Sequence, residues 1–189
     1  LKIIRWKKVL KHTRQKAAWA ILMGLVFATL VFFTGNATTG SGKTVMVDLL
    51  FNENATTDWF TFPSRFFASI ITYISGGAGG IFAPSLSIGA TLGDEIVNFL
   101  GVPEFKNLII ITAMIAFMTG VTHSPFTSFI LVLEMTNRHN SVFSMMLAAL
   151  IAISVAKLLH KKSFYEQLVE DYLKSPDFKP KAEKNKIIE

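Results

Sequence analysis

The placement of charge constrains this chain most. Of its 19 Lys and Arg residues, seven lie in residues 1–16 and eight in residues 157–189, leaving only Lys43, Arg65, Lys106 and Arg138 between. With 51% of residues hydrophobic, that middle cannot clothe itself in charge as an average water-soluble domain does. Basic ends around an apolar interior suit a multi-pass, all-α membrane protein of the cell (inner) membrane with both ends of the chain cytoplasmic. Nucleic acid is set aside as a partner of the basic ends, because no aromatic-interleaved basic face or DNA-binding motif accompanies them. Cysteine is absent, which removes disulfides and thiolate metal sites. The first residue is Leu1 and no signal-peptide pattern opens the chain, so it is expected to be part of a longer protein.

The apolar runs set the architecture. Ala17–Phe33 supplies about 17 apolar residues, the lower limit for a membrane span. Trp19 and the terminal Phe residues suit the two interfaces. Val45–Phe51 is short, and Trp59–Ser75 is interrupted by Pro63 and Arg65. Ile81–Gly93 reads as a helix, followed by Asp94, Glu95 and Ile96–Leu100. Asn107–Val121, Phe126–Met135 and Val142–Leu159 complete the series, the first two parted by a break at Thr122–Pro125. Several runs are only about 10 to 15 residues long, short of the roughly 20 that a span requires. Short apolar segments broken by Gly and Pro mark transporters whose half-helices meet at a midplane site. The expected organisation is a basic boundary segment over 1–16 with a short surface helix, a membrane domain of broken and re-entrant helices over 17–174, and a charged tail over 175–189.

The candidate site lies in Ser75–Gly93, SGGAGGIFAPSLSIGATLG. Gly76, Gly77, Gly79 and Gly80 relax the usual φ limits and predict a tight, closely packed loop ending near Gly80. Pro84 fits a first helical turn, where its missing N–H costs nothing, so a helix is expected to start near Ile81. A helix start presents unpaired N–H groups and about half a positive charge, an anion site made from backbone alone. No Lys or Arg occurs between Arg65 and Lys106. An anion there would be held by partial charges, weakly enough to leave again, as conduction requires.

These residues resemble the anion-site motif G-x-F-x-P of the CLC chloride channels and chloride/proton exchangers, and the likeness extends over the whole of SGGAGGIFAPSLSIGATLG. Ala78 stands where a proline is common. AFMTGVTHSPFTSFILVLEMT likewise resembles the family block G-x-x-R-A-P-L-T-x-x-V-x-x-x-E-M-T, with His123 and Phe126 in place of Arg and Leu. KSFYEQL resembles the family's K-P-L-Y-x-x-L. The resemblance covers most of residues 17–173 and implies the C-terminal half of the CLC membrane domain, one of its two inverted repeats. It implies that the backbone amides of Ile81 and Phe82 face a central chloride, and that the Tyr165 hydroxyl reaches it from the cytoplasmic side. Gly79, Gly80 and Pro84 would shape the loop. It further implies chloride transport, as a channel or a chloride/proton antiporter, in a homodimer within the lipid bilayer, with protons as a second possible cargo. No enzymatic activity, metal or cofactor is expected beyond the chloride ion as ligand. The family's G-S-G-I-P, with its coordinating Ser, and G-x-E-G-P, with its gating Glu, do not occur in this chain.

Other features have competing readings. Ala37–Thr44, ATTGSGKT, matches a relaxed phosphate loop through Lys43 and Thr44, but a nucleotide site needs a preceding strand. The alternatives are a nucleotide binder or a Gly-rich connector between membrane segments. A third reading is a structural membrane module that transports nothing. The sequons at Asn36 and Asn54 are read as chance. Arg65 is expected at an interface, with snorkelling or an aqueous vestibule as its roles. Glu134, an acid ending an apolar run, is read as a boundary hydrogen-bonding group against the alternative of a functional intramembrane acid. His12, His123 and His139 are read as boundary residues, and Met145 and Met146 as packing. Ser124 can cap a helix beginning at Pro125. Ser163 and Glu166 have capping-box spacing at the start of a last helix, on which Tyr165, Leu168, Val169 and Tyr172 share a face.

Overall fold

A computed structural model describes residues 13–52, 54–75 and 79–173. Most of the basic N-terminal segment including His12, the site-loop residues Gly76, Gly77 and Ala78, and the tail from Lys174 onward lie outside the described residues. The side chain of Tyr172 does too.

Eight α-helices occur among the described residues: α1 (Thr13–Thr34), α2 (Lys43–Phe51), α3 (Thr61–Ser75), α4 (Phe82–Leu100), α5 (Lys106–Thr122), α6 (Pro125–Thr136), α7 (Val142–Leu159) and α8 (Phe164–Leu173). Short 3-10 turns precede α2, α5 and α7. The all-α architecture follows the expectation, with two differences in extent. α1 begins at Thr13, so part of the basic segment continues the first membrane helix. α4 runs unbroken through Asp94 and Glu95, because Asp94 is fully buried and bonded rather than solvated at a helix end.

Three stretches are long and apolar enough to cross a membrane: Ala17–Thr34, Pro103–Thr122 and His139–Leu159. At 1.5 Å per residue, the 12 residues of α6 extend only about 18 Å, well short of a hydrocarbon core of about 30 Å. Full spans and shorter helices are therefore mixed, as the broken apolar runs predict.

The core forms where α5 packs against α4 and α7, with α2 and α6 closing it. Ile110, Ile111, Met114, Ile115 and Met118 of α5 are essentially inaccessible, and Met145 and Ala149 of α7 meet them. Met145 is thus a packing residue, whereas Met146 is exposed. Two glycines let α4 and α5 approach closely. A Cβ on Gly89 would lie 2.6 Å from Met114 Cα, and one on Gly93 would lie 2.7 Å from Ile110 Cα. Where lipid and core are equally apolar, such backbone proximity is what holds helices together.

The loop before α3 is tied down by buried polar groups. Asp94 Oδ2 accepts from the Thr57 backbone N–H at 2.7 Å and from the Thr57 hydroxyl at 2.8 Å. Lys106 Nζ donates to the carbonyls of Asn52 and Ala55. Pro63 sits at the third position of α3, inside the first turn, where no intrahelical N–H bond is lost.

The α5–α6 break is made by His123, a left-handed C-cap (φ 56°) whose N–H donates to Thr119 O at 2.8 Å. Pro125 opens α6 and Ser124 takes the N-cap position, as expected. Its hydroxyl makes no capping bond, however; it turns back toward Thr122 O at 3.5 Å. Glu134 is exposed near the end of α6. His139 pairs with Asn137 Oδ1 at 2.9 Å beyond that end.

Candidate functional site

The start of α4 is built as its sequence dictates. Ile81 is the N-cap residue and Phe82 the first helical residue. The first backbone bond runs from Ser85 N–H to Ile81 O at 3.0 Å. The amides of Phe82 and Ala83 precede it, Pro84 has none, and no side chain caps the end. A helix end of this kind directs partial positive charge outward from uncapped backbone.

Gly79 and Gly80 depart from expectation. Neither has a positive φ, and a Cβ on either would meet nothing within 4 Å. Within this chain they are not demanded by a tight turn. They leave open space in front of α4.

α8 completes the neighbourhood. Ser163 is buried, and its Oγ accepts the Glu166 backbone N–H at 3.1 Å, the forward half of the predicted capping box. This cap aims the first turn of α8 at α3 and α4. The Phe164 ring packs edge-on against Tyr73 of α3 with centroids 4.8 Å apart. The Tyr165 ring lies 6.4 Å from that of Phe82. Phe82 and Tyr165 are both more than a third exposed, so they flank an open face rather than a sealed core. The structure therefore brings Ile81, Phe82 and Tyr165 into one neighbourhood from segments more than 80 residues apart. Beside them opens a cavity of about 550 Å³, lined in part by Gly79, Gly80, Ile81, Pro84 and Phe164.

Arg65 is 4% exposed, so it does not snorkel to the protein surface; of the two roles left open by the sequence, lining a cavity is the one that fits. Its Nη1 donates to Ser87 Oγ of α4 at 3.4 Å, and it lines the same cavity. The sequence signal was a lone basic residue in an apolar run; its partner, 22 residues downstream, could not be read from spacing. The Gly40–Lys43 stretch follows a 3-10 turn at the end of α1, and no strand occurs among the described residues. Gly42 (φ 81°) is instead packed onto Arg65 and Ser87 so closely that a Cβ has no room.

Comparison with known proteins places the chain. The family model described as voltage gated chloride channel matches residues 1–157, a range that includes the start of α4 and ends before Tyr165. The chain is 31% identical over 119 residues to an H(+)/Cl(-) exchange transporter ClcA of Vibrio cholerae, covering 60% of this chain and 25% of that protein. It is 31% identical over 111 residues to a voltage-gated ClC-type chloride channel ClcB of Escherichia coli, covering 56% and 27%. With a ClcA of Salmonella typhimurium it shares 32% over 131 residues, covering 67% and 28%. No solved structure matches it significantly. The chain spans about a quarter of the length of these curated relatives. By its helical architecture and a family match over most of its length, the chain belongs to the voltage gated chloride channel family.

Proposed function

We propose that this chain forms one wall of a chloride pathway, in which the amides of Ile81 and Phe82 and the hydroxyl of Tyr165 hold the ion during transport. The observation that carries this reading is the meeting of an uncapped helix start with the Phe82–Tyr165 pair across an open face. Backbone dipoles and a neutral phenol attract a halide without trapping it, as repeated binding and release demand. Transport would be as a channel or as a chloride/proton antiporter. The lipid bilayer and a second copy of the chain are its proposed partners, with both ends on the cytoplasmic side of the cell membrane. The open space at Gly79 and Gly80 fits an ion or another segment approaching the backbone closely.

Isothermal titration of the purified protein with chloride, paired with chloride efflux from proteoliposomes, tests the reading. Tyr165→Phe removes one hydroxyl donor and should weaken binding about 2- to 13-fold, the range for losing an ordinary hydrogen bond of roughly 0.5–1.5 kcal/mol. Phe82→Leu keeps the amide and should retain chloride affinity. Unchanged affinity in Tyr165→Phe and Tyr165→Ala would remove Tyr165 from the site, and absence of any chloride-driven heat or efflux would overturn the whole reading.

A further inference from the structure

Arg65 is a buried guanidinium without a counter-charge among the described residues. Its Nε has no hydrogen-bond partner, and no described carboxylate lies within ion-pair distance. Its contact with Ser87 is at the long limit, and the Ser87 hydroxyl donates its own proton to Pro84 O at 3.0 Å, so Ser87 can orient the guanidinium but not neutralise it. A guanidinium carries five N–H donors and stays charged, and burying it unpaired is costly.

A second source of positive potential adjoins it. Gly42, the N-cap of α2, is buried against Arg65 Nη1. The first α2 bond is Met46 N–H to Gly42 O at 3.0 Å, so the amides of Lys43, Thr44 and Val45 precede it at the positive end of a nine-residue helix. A fixed cation and a helix N-terminus repel one another unless something negative lies close to both. The cavity beside Arg65 also reaches Ser87, Thr38 and Gly40 and continues to Ile81.

We propose that this cavity holds a second anion site, in which the Arg65 guanidinium, oriented by Ser87 and backed by the Gly40–Gly42 loop, binds a monovalent, chloride-sized anion. Full charge in a buried setting holds an anion more firmly than backbone dipoles do. This site is therefore resident, filled at lower chloride than the start of α4 and not emptied in each transport cycle. It involves neither Phe82 nor Tyr165, so it stands or falls independently of the site proposed there.

Crystals of the purified protein grown in bromide locate the ion by anomalous diffraction. A bromide peak in contact with the Arg65 guanidinium is expected, and it should persist in Tyr165→Ala. In solution, Arg65→Gln should lose the tighter of two chloride-binding events while keeping the weaker. Ser87→Ala retains the charge but frees the guanidinium, and should weaken that event about 2- to 13-fold, the range for losing an ordinary hydrogen bond. Should Arg65→Gln fail to fold, the wild-type map and Ser87→Ala still decide. Density for a carboxylate of another segment against the guanidinium, bromide only at the start of α4, or chloride affinity unchanged in Ser87→Ala would each overturn the proposal.

Discussion

At the scale of single residues, the firmest constraints are positions where an added atom has nowhere to go or a lost one leaves a gap in bonding. Gly89 is the first kind. Its missing Cβ faces Met114 Cα at 2.6 Å and Ala113 O at 2.8 Å, and backbone cannot swing aside as a flexible side chain could. Gly89→Ala should therefore destabilise the α4–α5 pair by about 1–3 kcal/mol, the usual cost of overpacking. The denaturation midpoint of the detergent-solubilised protein measures this, with Gly120→Ala, whose Cβ meets nothing within 4 Å, as the near-silent control. Asp94 is the second kind. Asp94→Ala strands the Thr57 N–H and hydroxyl, and hydrogen bonds to a charged acceptor contribute about 1.5–3 kcal/mol each. Local loosening of residues 54–60 should follow, seen as faster proteolysis or hydrogen exchange there than in α5. Neither position announced itself in the sequence. Gly89 was one small residue among several after Pro84, and Asp94 looked like a charge closing a helix. What distinguishes them is a partner on another helix, which linear spacing does not encode.

At the scale of elements, most of the fold was legible because each apolar run carries its own stop signals. α7 matches the expected run in full, and α5 and α6 extend it by one residue at each end. The break between α5 and α6 is set by local chemistry, a left-handed His123 followed by Pro125. A left-handed non-glycine residue carries strain that glycine would not. His123→Gly should accordingly leave the break intact and raise the thermal midpoint slightly, by an amount matching about 1 kcal/mol. A lowered midpoint would mean that the imidazole makes a contact more valuable than the strain it imposes. Assembly of the candidate site was less legible. The pairing of α8 with the start of α4 depends on Phe164 reaching Tyr73, and only the likeness to CLC sequences pointed to Tyr165. Of the glycines before α4, only Gly79 and Gly80 lie among the described residues. Neither has a positive φ, and an added Cβ on either would meet nothing within 4 Å, so space is left in front of α4.

At the scale of the whole molecule, the distribution of exposed apolar surface becomes an argument. None of the Ala17–Thr34 span is buried, and Phe32, Phe33, Phe99, Phe143, Leu158 and Leu159 project from different helices. Soluble proteins seldom leave so much contiguous apolar surface in water, whereas a bilayer or a neighbouring polypeptide covers it without penalty. The open face at Phe82 and Tyr165 differs from this lipid-suited surface, since it combines aromatic edges with uncapped amides and two glycines. A water-filled vestibule and a lipid-facing surface react differently with charged thiol reagents. In this cysteine-free chain, Phe82→Cys reconstituted in liposomes should be modified by a membrane-impermeant methanethiosulfonate and protected by chloride. Ile151→Cys, exposed at the middle of α7, should resist the same reagent, because a thiol in hydrocarbon neither ionises nor meets it. Equal modification at both positions would mean that the face around α4 is not set apart from the rest of the apolar surface. The chloride site proposed there would then lose its support.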